Sequence, residues 1–97
     1  MASEVDVLGM LSVKLQNEIA EVAQKHYQLT SGEAEVSVSR ELAHGDYTTN
    51  VALKVASKWG VLPRQAAETI LEELKISRFI IRNFSKIEIA GPGFINF

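Results

Sequence analysis

From Glu4 to Tyr27 the apolar residues Leu8, Leu11, Leu15, Ile19, Val22 and Ala23 recur at steps of three and four. That spacing lines them along one stripe of an amphipathic helix. Ser3, followed three residues later by Asp6, resembles a capping box with the shorter acid in place of Glu. Thr30-Ser31-Gly32 is the expected stop, with glycine free to take a turn conformation. The period then changes to two. Glu35-Val36-Ser37-Val38-Ser39 alternates and reads as a half-buried strand with Val36 and Val38 inward.

After the loop from Leu42 to Tyr47, a second helix is expected over Thr48–Trp59. Ala52, Val55, Ala56 and Trp59 share one side of it, and Gly60 stands just past its end. Pro63 suits the first position of a third helix, which runs to Lys75 and buries Ala66, Ala67, Ile70, Leu71 and Leu74. Leu62 is a poor N-cap for it. Residues 76–84 read two ways: Lys75, Arg78, Arg82 and Lys86 lie at helical spacing, yet Phe79-Ile80-Ile81 could begin a strand. In Lys86–Ala90, Ile87 and Ile89 point one way and Lys86, Glu88 and Ala90 the other. The order α-β-α-α-β-β implies an α+β domain, with helices packed on one face of a small, mainly antiparallel sheet.

The last two strands form a hairpin around Gly91-Pro92-Gly93, read as a turn with Pro92 second and Gly93 supplying positive φ third. Beyond the turn, alternation puts Ile95 and Phe97 on one face, Phe94 and Asn96 on the other. If the all-apolar pair faces the core, a ring and a carboxamide stand together in solvent. Such a pair suits an unpaired nucleobase, the ring as a stacking platform and the amide as donor and acceptor to a base edge. The plainer alternative makes Phe94 part of the core and Asn96 merely polar.

Ninety-seven residues, 46% hydrophobic and 23% charged, are enough for one ordinary globular domain and too few for most multi-substrate enzymes. No apolar run approaches the ~20 residues that span a bilayer, and no signal-peptide pattern opens the chain. Absence of cysteine excludes disulfides and thiolate metal sites and fits the cytosol. His26 and His44 have no partner at ligand spacing, so no metal is expected. The net charge of −2 is unevenly spread. Residues 1–50 carry three basic and eight acidic side chains, residues 51–97 seven basic and four acidic. The basic half therefore holds the hairpin, with Arg82 and Lys86 close to it in sequence as candidate phosphate contacts. Ordinary solvated helix faces would give the same asymmetry.

Gly45-Asp46-Tyr47-Thr48-Thr49-Asn50 stands at the entrance to the second helix. Asp46 or Thr48 can cap that helix. A phosphate or ribose site there is disfavoured, because the Asp46 carboxylate would compete with an anion.

Three motifs, in order across residues 44–97, carry a resemblance. They are Gly45-Asp46-Tyr47 with Asn50 and Ala52; Gly60 with Pro63-Arg64-Gln65 and Ala67-Glu68; and Ile87-Glu88-Ile89-Ala90-Gly91-Pro92-Gly93-Phe94-Ile95-Asn96. The chain resembles the N-terminal additional domain of arginyl-tRNA synthetase, over the whole of residues 1–97 as a single domain. The first 43 residues match only in having a long helix and then a strand, and Ser77–Ser85 is longer than the family usually has.

The resemblance implies a tRNA-binding appendage that contacts the D-loop at the outer corner of arginine tRNA. Phe94 would take the aromatic position and Asn96 the amide position at an unstacked adenine; Lys86 and Arg82 are expected as further RNA contacts on the charge distribution alone. It also implies a cytoplasmic parent that joins arginine to its tRNA using ATP and magnesium. The class I signatures and Gly-rich nucleotide loops are absent here, so the catalytic and anticodon-binding domains are expected elsewhere in the parent. The fragment itself is expected to be inactive and to hold no cofactor. Its expected partners are arginine tRNA and the catalytic domain, with no membrane or DNA. The alternative is a protein-interaction module without RNA contact, with Phe94 as a hydrophobic anchor.

Overall fold

The computed structural model describes residues 10–29, 36–37 and 47–97. The expected cap at Ser3 and Asp6, the stop at Thr30–Gly32 and the loop carrying Gly45 and Asp46 lie outside them.

Helix α1 (Met10–Tyr27) buries Leu11, Leu15, Ile19 and Ala23, the stripe that the sequence spacing sets out. It ends as Gln28 turns into the left-handed region at φ 56°, its N–H donating to Gln24 O at 3.0 Å. Leu29 then drops into the core.

Strands β1 (Val36–Ser37) and β2 (Thr48–Thr49) form an antiparallel pair. The sequence places Thr48 and Thr49 in the second helix; instead they are strand, and α2 covers Val51–Trp59. Two adjacent β-branched residues suit a pleated surface, and β4 gives them a ladder partner. The Thr49 hydroxyl, fully buried, accepts the Val51 N–H at 3.2 Å and so serves the start of α2. Thr48, expected as a possible cap, bonds elsewhere.

Helix α3 (Pro63–Lys75) has the bounds that Pro63 and its apolar spacing predict, and Leu62 provides no side-chain cap. Its buried face is Ala66, Ala67, Ile70 and Leu74. The ambiguous stretch resolves as a short helix, α4 (Arg78–Asn83). Ser77 caps it, its hydroxyl accepting the Ile80 N–H at 3.4 Å and donating to the Glu18 carboxylate of α1. Beyond α4, Phe84 stacks edge-on against Tyr47 (ring centroids 5.8 Å apart) and Phe79 (6.2 Å) and lies tilted against Phe97 (5.5 Å). This aromatic cluster ties the segment after α4 to the end of the sheet.

Strands β3 (Glu88–Ala90) and β4 (Phe94–Asn96) complete a four-stranded antiparallel sheet in the order β1-β2-β4-β3. Its core row crosses Thr49, Ile95 and Ile89, with Thr49 and Ile95 sealed and Ile89 packed at the margin. Helices α1, α2 and α3 pack on one another and against the sheet, giving the expected α+β architecture. Strand β4 lies between β2 and β3, and its Phe94 and Asn96 are on the face opposite Ile95.

Candidate functional site

The hairpin is positioned from its turn. Gly93 donates its N–H to Ala90 O at 3.4 Å, so Gly91 and Pro92 are the central residues, one place earlier than the sequence suggests. Gly91 has φ 57°, and a positive φ at the first central position matches the twist of hairpin strands. Arg64 Nη1, from the first turn of α3, donates to Gly91 O at 2.9 Å. Gly93 itself is buried against Pro63. The Pro63-Arg64 and Gly91-Pro92-Gly93 motifs therefore meet in space and fix where β4 begins.

Along β4 the expected alternation holds for three of four residues. Ile95 is 0% and Phe97 6% exposed, inside the core, while Phe94 is 37% exposed. Asn96 departs from the expectation of a solvent-facing amide: it is only 7% exposed. The reason is topological. Because β4 is central, Asn96 is flanked by Thr48 of β2 on one side and Glu88 of β3 on the other. Thr48 Oγ1 donates to Asn96 Oδ1 at 2.9 Å. Among the described residues the amide nitrogen Nδ2 has no such partner, and the one sealed side-chain polar atom without a bond is Asn50 Oδ1. Nδ2 is thus unengaged among the described residues.

One step along the same face, Phe94 stands opposite Ala90, whose methyl is too small to cover a ring. The result is a half-open aromatic surface with a held amide beside it. Chemically it can stack a flat apolar face and donate a hydrogen bond.

The two candidate basic residues fare differently. Lys86 precedes β3, its ammonium 3.5 Å from Glu88 Oε2, so its charge is shared with the carboxylate that borders Asn96. Arg82 is exposed on α4, and no contact among the described residues joins it to the hairpin. Sequence reasoning gave Thr48 only a capping role and Arg64 no role of its own. The paired β-branched threonines were the available signal for the first; nothing local announces the second.

A separate cluster links α1 to α3. Glu73 Oε1 accepts from Lys25 Nζ at 2.9 Å and pairs with His26 Nε2 at 2.8 Å. The hydrogen bond from Lys25, then that from His26, holds the Glu73 carboxyl below the ordinary carboxylate range. Among the described residues no group of three His, Cys, Asp or Glu side chains could hold a metal ion. Nor is any described helix long and apolar enough to cross a membrane.

Comparison with known proteins fits this geometry into a family. The family model for the arginyl tRNA synthetase N terminal domain matches residues 11–97. An arginine–tRNA ligase of Geobacillus thermodenitrificans is 36% identical over 96 residues, covering 96% of this chain and 17% of that protein. One of Desulforamulus reducens is 37% identical over 94 residues, covering 95% and 16%. One of Listeria welshimeri is 47% identical over 62 residues, 64% of this chain and 11% of the ligase. The chain thus spans about a sixth of the length of the first two relatives. With a match that takes in α1, all four strands and the whole hairpin, the chain belongs to the arginyl-tRNA synthetase N-terminal domain family.

Proposed function

We propose that this domain is the tRNA-binding appendage of an arginine–tRNA ligase and reads an unpaired base in the D-loop, at the outer corner of the tRNA. The observation that supports it most is Phe94, a ring 37% exposed on a face where β4 could have carried a polar residue. A large exposed aromatic beside a donor is what base stacking with edge recognition requires. Asn96 contributes the donor, Lys86 a phosphate contact at the rim, and Arg82 a more distant one.

On this reading the parent works in the cytoplasm and attaches arginine to its tRNA with ATP and magnesium. Those reactants are handled by its catalytic domain, the domain's neighbour in the same chain. The appendage contributes orientation only. The contact area is small and the net charge is −2, so binding by the domain alone should be weak, with a Kd on the order of 10⁻⁴ M. Within the parent the same contacts become intramolecular and act through effective concentration.

The test is tRNA affinity of the complete ligase carrying Phe94→Ala, measured across a salt series. Loss of about 1–3 kcal/mol is expected, the usual worth of stacking one base. Unchanged affinity would return Phe94 to the role of a hydrophobic anchor for a protein.

A further inference from the structure

An asparagine amide has two orientations of nearly equal shape, one offering oxygen and the other nitrogen to a given direction. In solution both are used. At Asn96 the flanking strands distinguish them. On the β2 side, the Thr48 hydroxyl donates to Oδ1 at 2.9 Å. A hydroxyl can donate or accept, so Thr48 alone would tolerate either orientation. On the β3 side, Glu88 stands directly across from Asn96, at a spacing where opposite side chains interact. An ionised carboxylate only accepts, so it repels Oδ1 and favours Nδ2 on its flank. Glu88 therefore selects the orientation and Thr48, donating to Oδ1, holds it, while the near-complete burial of Asn96 restricts any other.

We infer that Thr48 is a positioning residue for Asn96: by engaging Oδ1, opposite Glu88, it makes the Nδ2 amine the group this site offers, so the site selects a base edge that presents an acceptor. This rests on the base-reading role proposed above. It narrows that role, because one lone pair of Oδ1 is already used by Thr48. A ring nitrogen on the base should therefore matter more than its exocyclic amine.

The experiment uses the complete ligase and arginine tRNA with analogues at the unpaired purines of the D-loop. The 1-deaza and 7-deaza forms of adenine each remove a ring acceptor, and purine riboside removes the exocyclic amine. With the unaltered protein, loss of the contacted ring nitrogen should weaken binding roughly five-fold, the scale of one hydrogen bond, and loss of the amine less than that. Thr48→Val keeps the branched shape and removes the donor. It should flatten the difference between the analogues, and Thr48→Ser should restore it, with urea melts establishing that both variants remain folded.

A uniform loss of affinity for all analogues in Thr48→Val would mean Thr48 only supports the strand, and the inference fails. A larger effect of the amine than of either ring nitrogen in the unaltered protein overturns it without any variant. Failure of the base-reading role looks different: no analogue changes affinity, and neither does Phe94→Ala.

Discussion

Gly93 lies against Pro63 so closely that a side chain has no room between them: a Cβ built on the glycine would meet Pro63 Cβ at 3.0 Å and the Pro63 carbonyl carbon and oxygen at 3.1 Å. Its φ of 153° also lies in a region that other residues rarely adopt. Gly93→Ala should therefore destabilise the domain by about 1–3 kcal/mol, the usual scale of overpacking. A urea melt checks this. Arg64→Ala, which removes only the exposed bond to Gly91 O, should cost less than about 1 kcal/mol. Equal midpoints for Gly93→Ala and the parent would mean that the turn can lift away from α3.

The two faces of β4 predict opposite phenotypes. Ile95 is fully buried, so Ile95→Ala should cost ~2–5 kcal/mol as a core cavity. Phe94→Ala should cost well under that and act on tRNA affinity instead. Stability loss concentrated in the Phe94 variant, with Ile95→Ala near the parent, would reverse the assignment of the faces.

Thr49→Val tests the entrance to α2. The substitution preserves shape but leaves the buried Val51 N–H without the hydroxyl that accepts it. A loss of ~1–2 kcal/mol is expected, comparable to removal of a helix cap. Hydrogen exchange should quicken in the first turn of α2 before it does in α3.

Glu73 predicts an acid-side dependence. Its folded carboxyl is held below the ordinary carboxylate range by the Lys25 hydrogen bond first and the His26 bond second. A carboxylate depressed in the folded state contributes stability that is fully present above the unfolded pKa and lost as pH falls through the folded one. Thermal melts from pH 6 down to pH 3 should show the unsubstituted protein's advantage over Glu73→Gln shrinking as pH falls through and below the ordinary carboxylate range. Added salt should reduce the same difference, since the pair lies near the surface. A constant gap across that range would mean the cluster is not electrostatic.

Elements governed by local chemistry were legible before any coordinates. Pro63 and the apolar spacing after it set α3 to the residue, and strict alternation sent Ile95 and Phe97 inward. The spacing of Lys75, Arg78, Arg82 and Lys86 argued for a helix and Phe79-Ile80-Ile81 equally for a strand, and neither pattern shows the Ser77 cap or the packing of Phe84 on Tyr47 and Phe97 that go with the helix. What escaped depends on pairing across long separations. Thr48 and Thr49 adjoin a helical pattern, and only the ladder to β4 makes them a strand. Asn96 is covered because its strand is central, a property of topology that alternation within one segment does not encode.

The central place of β4 has a bearing on the order in which the domain can form. β4 follows every other described element in the chain, yet β2 and β3 both pair through it rather than with each other. Until Phe94–Asn96 has left the ribosome, β3 has no neighbour among the described strands, and the Ile95 and Phe97 positions of the core are vacant. The α2–α3 pair, adjacent in sequence, can pack earlier, and β3 and β4 close as a local hairpin, but the ladder from β2 to β4 must wait for long-range closure. The strand that carries the candidate base-reading residues is thus also the one that joins β2 to β3.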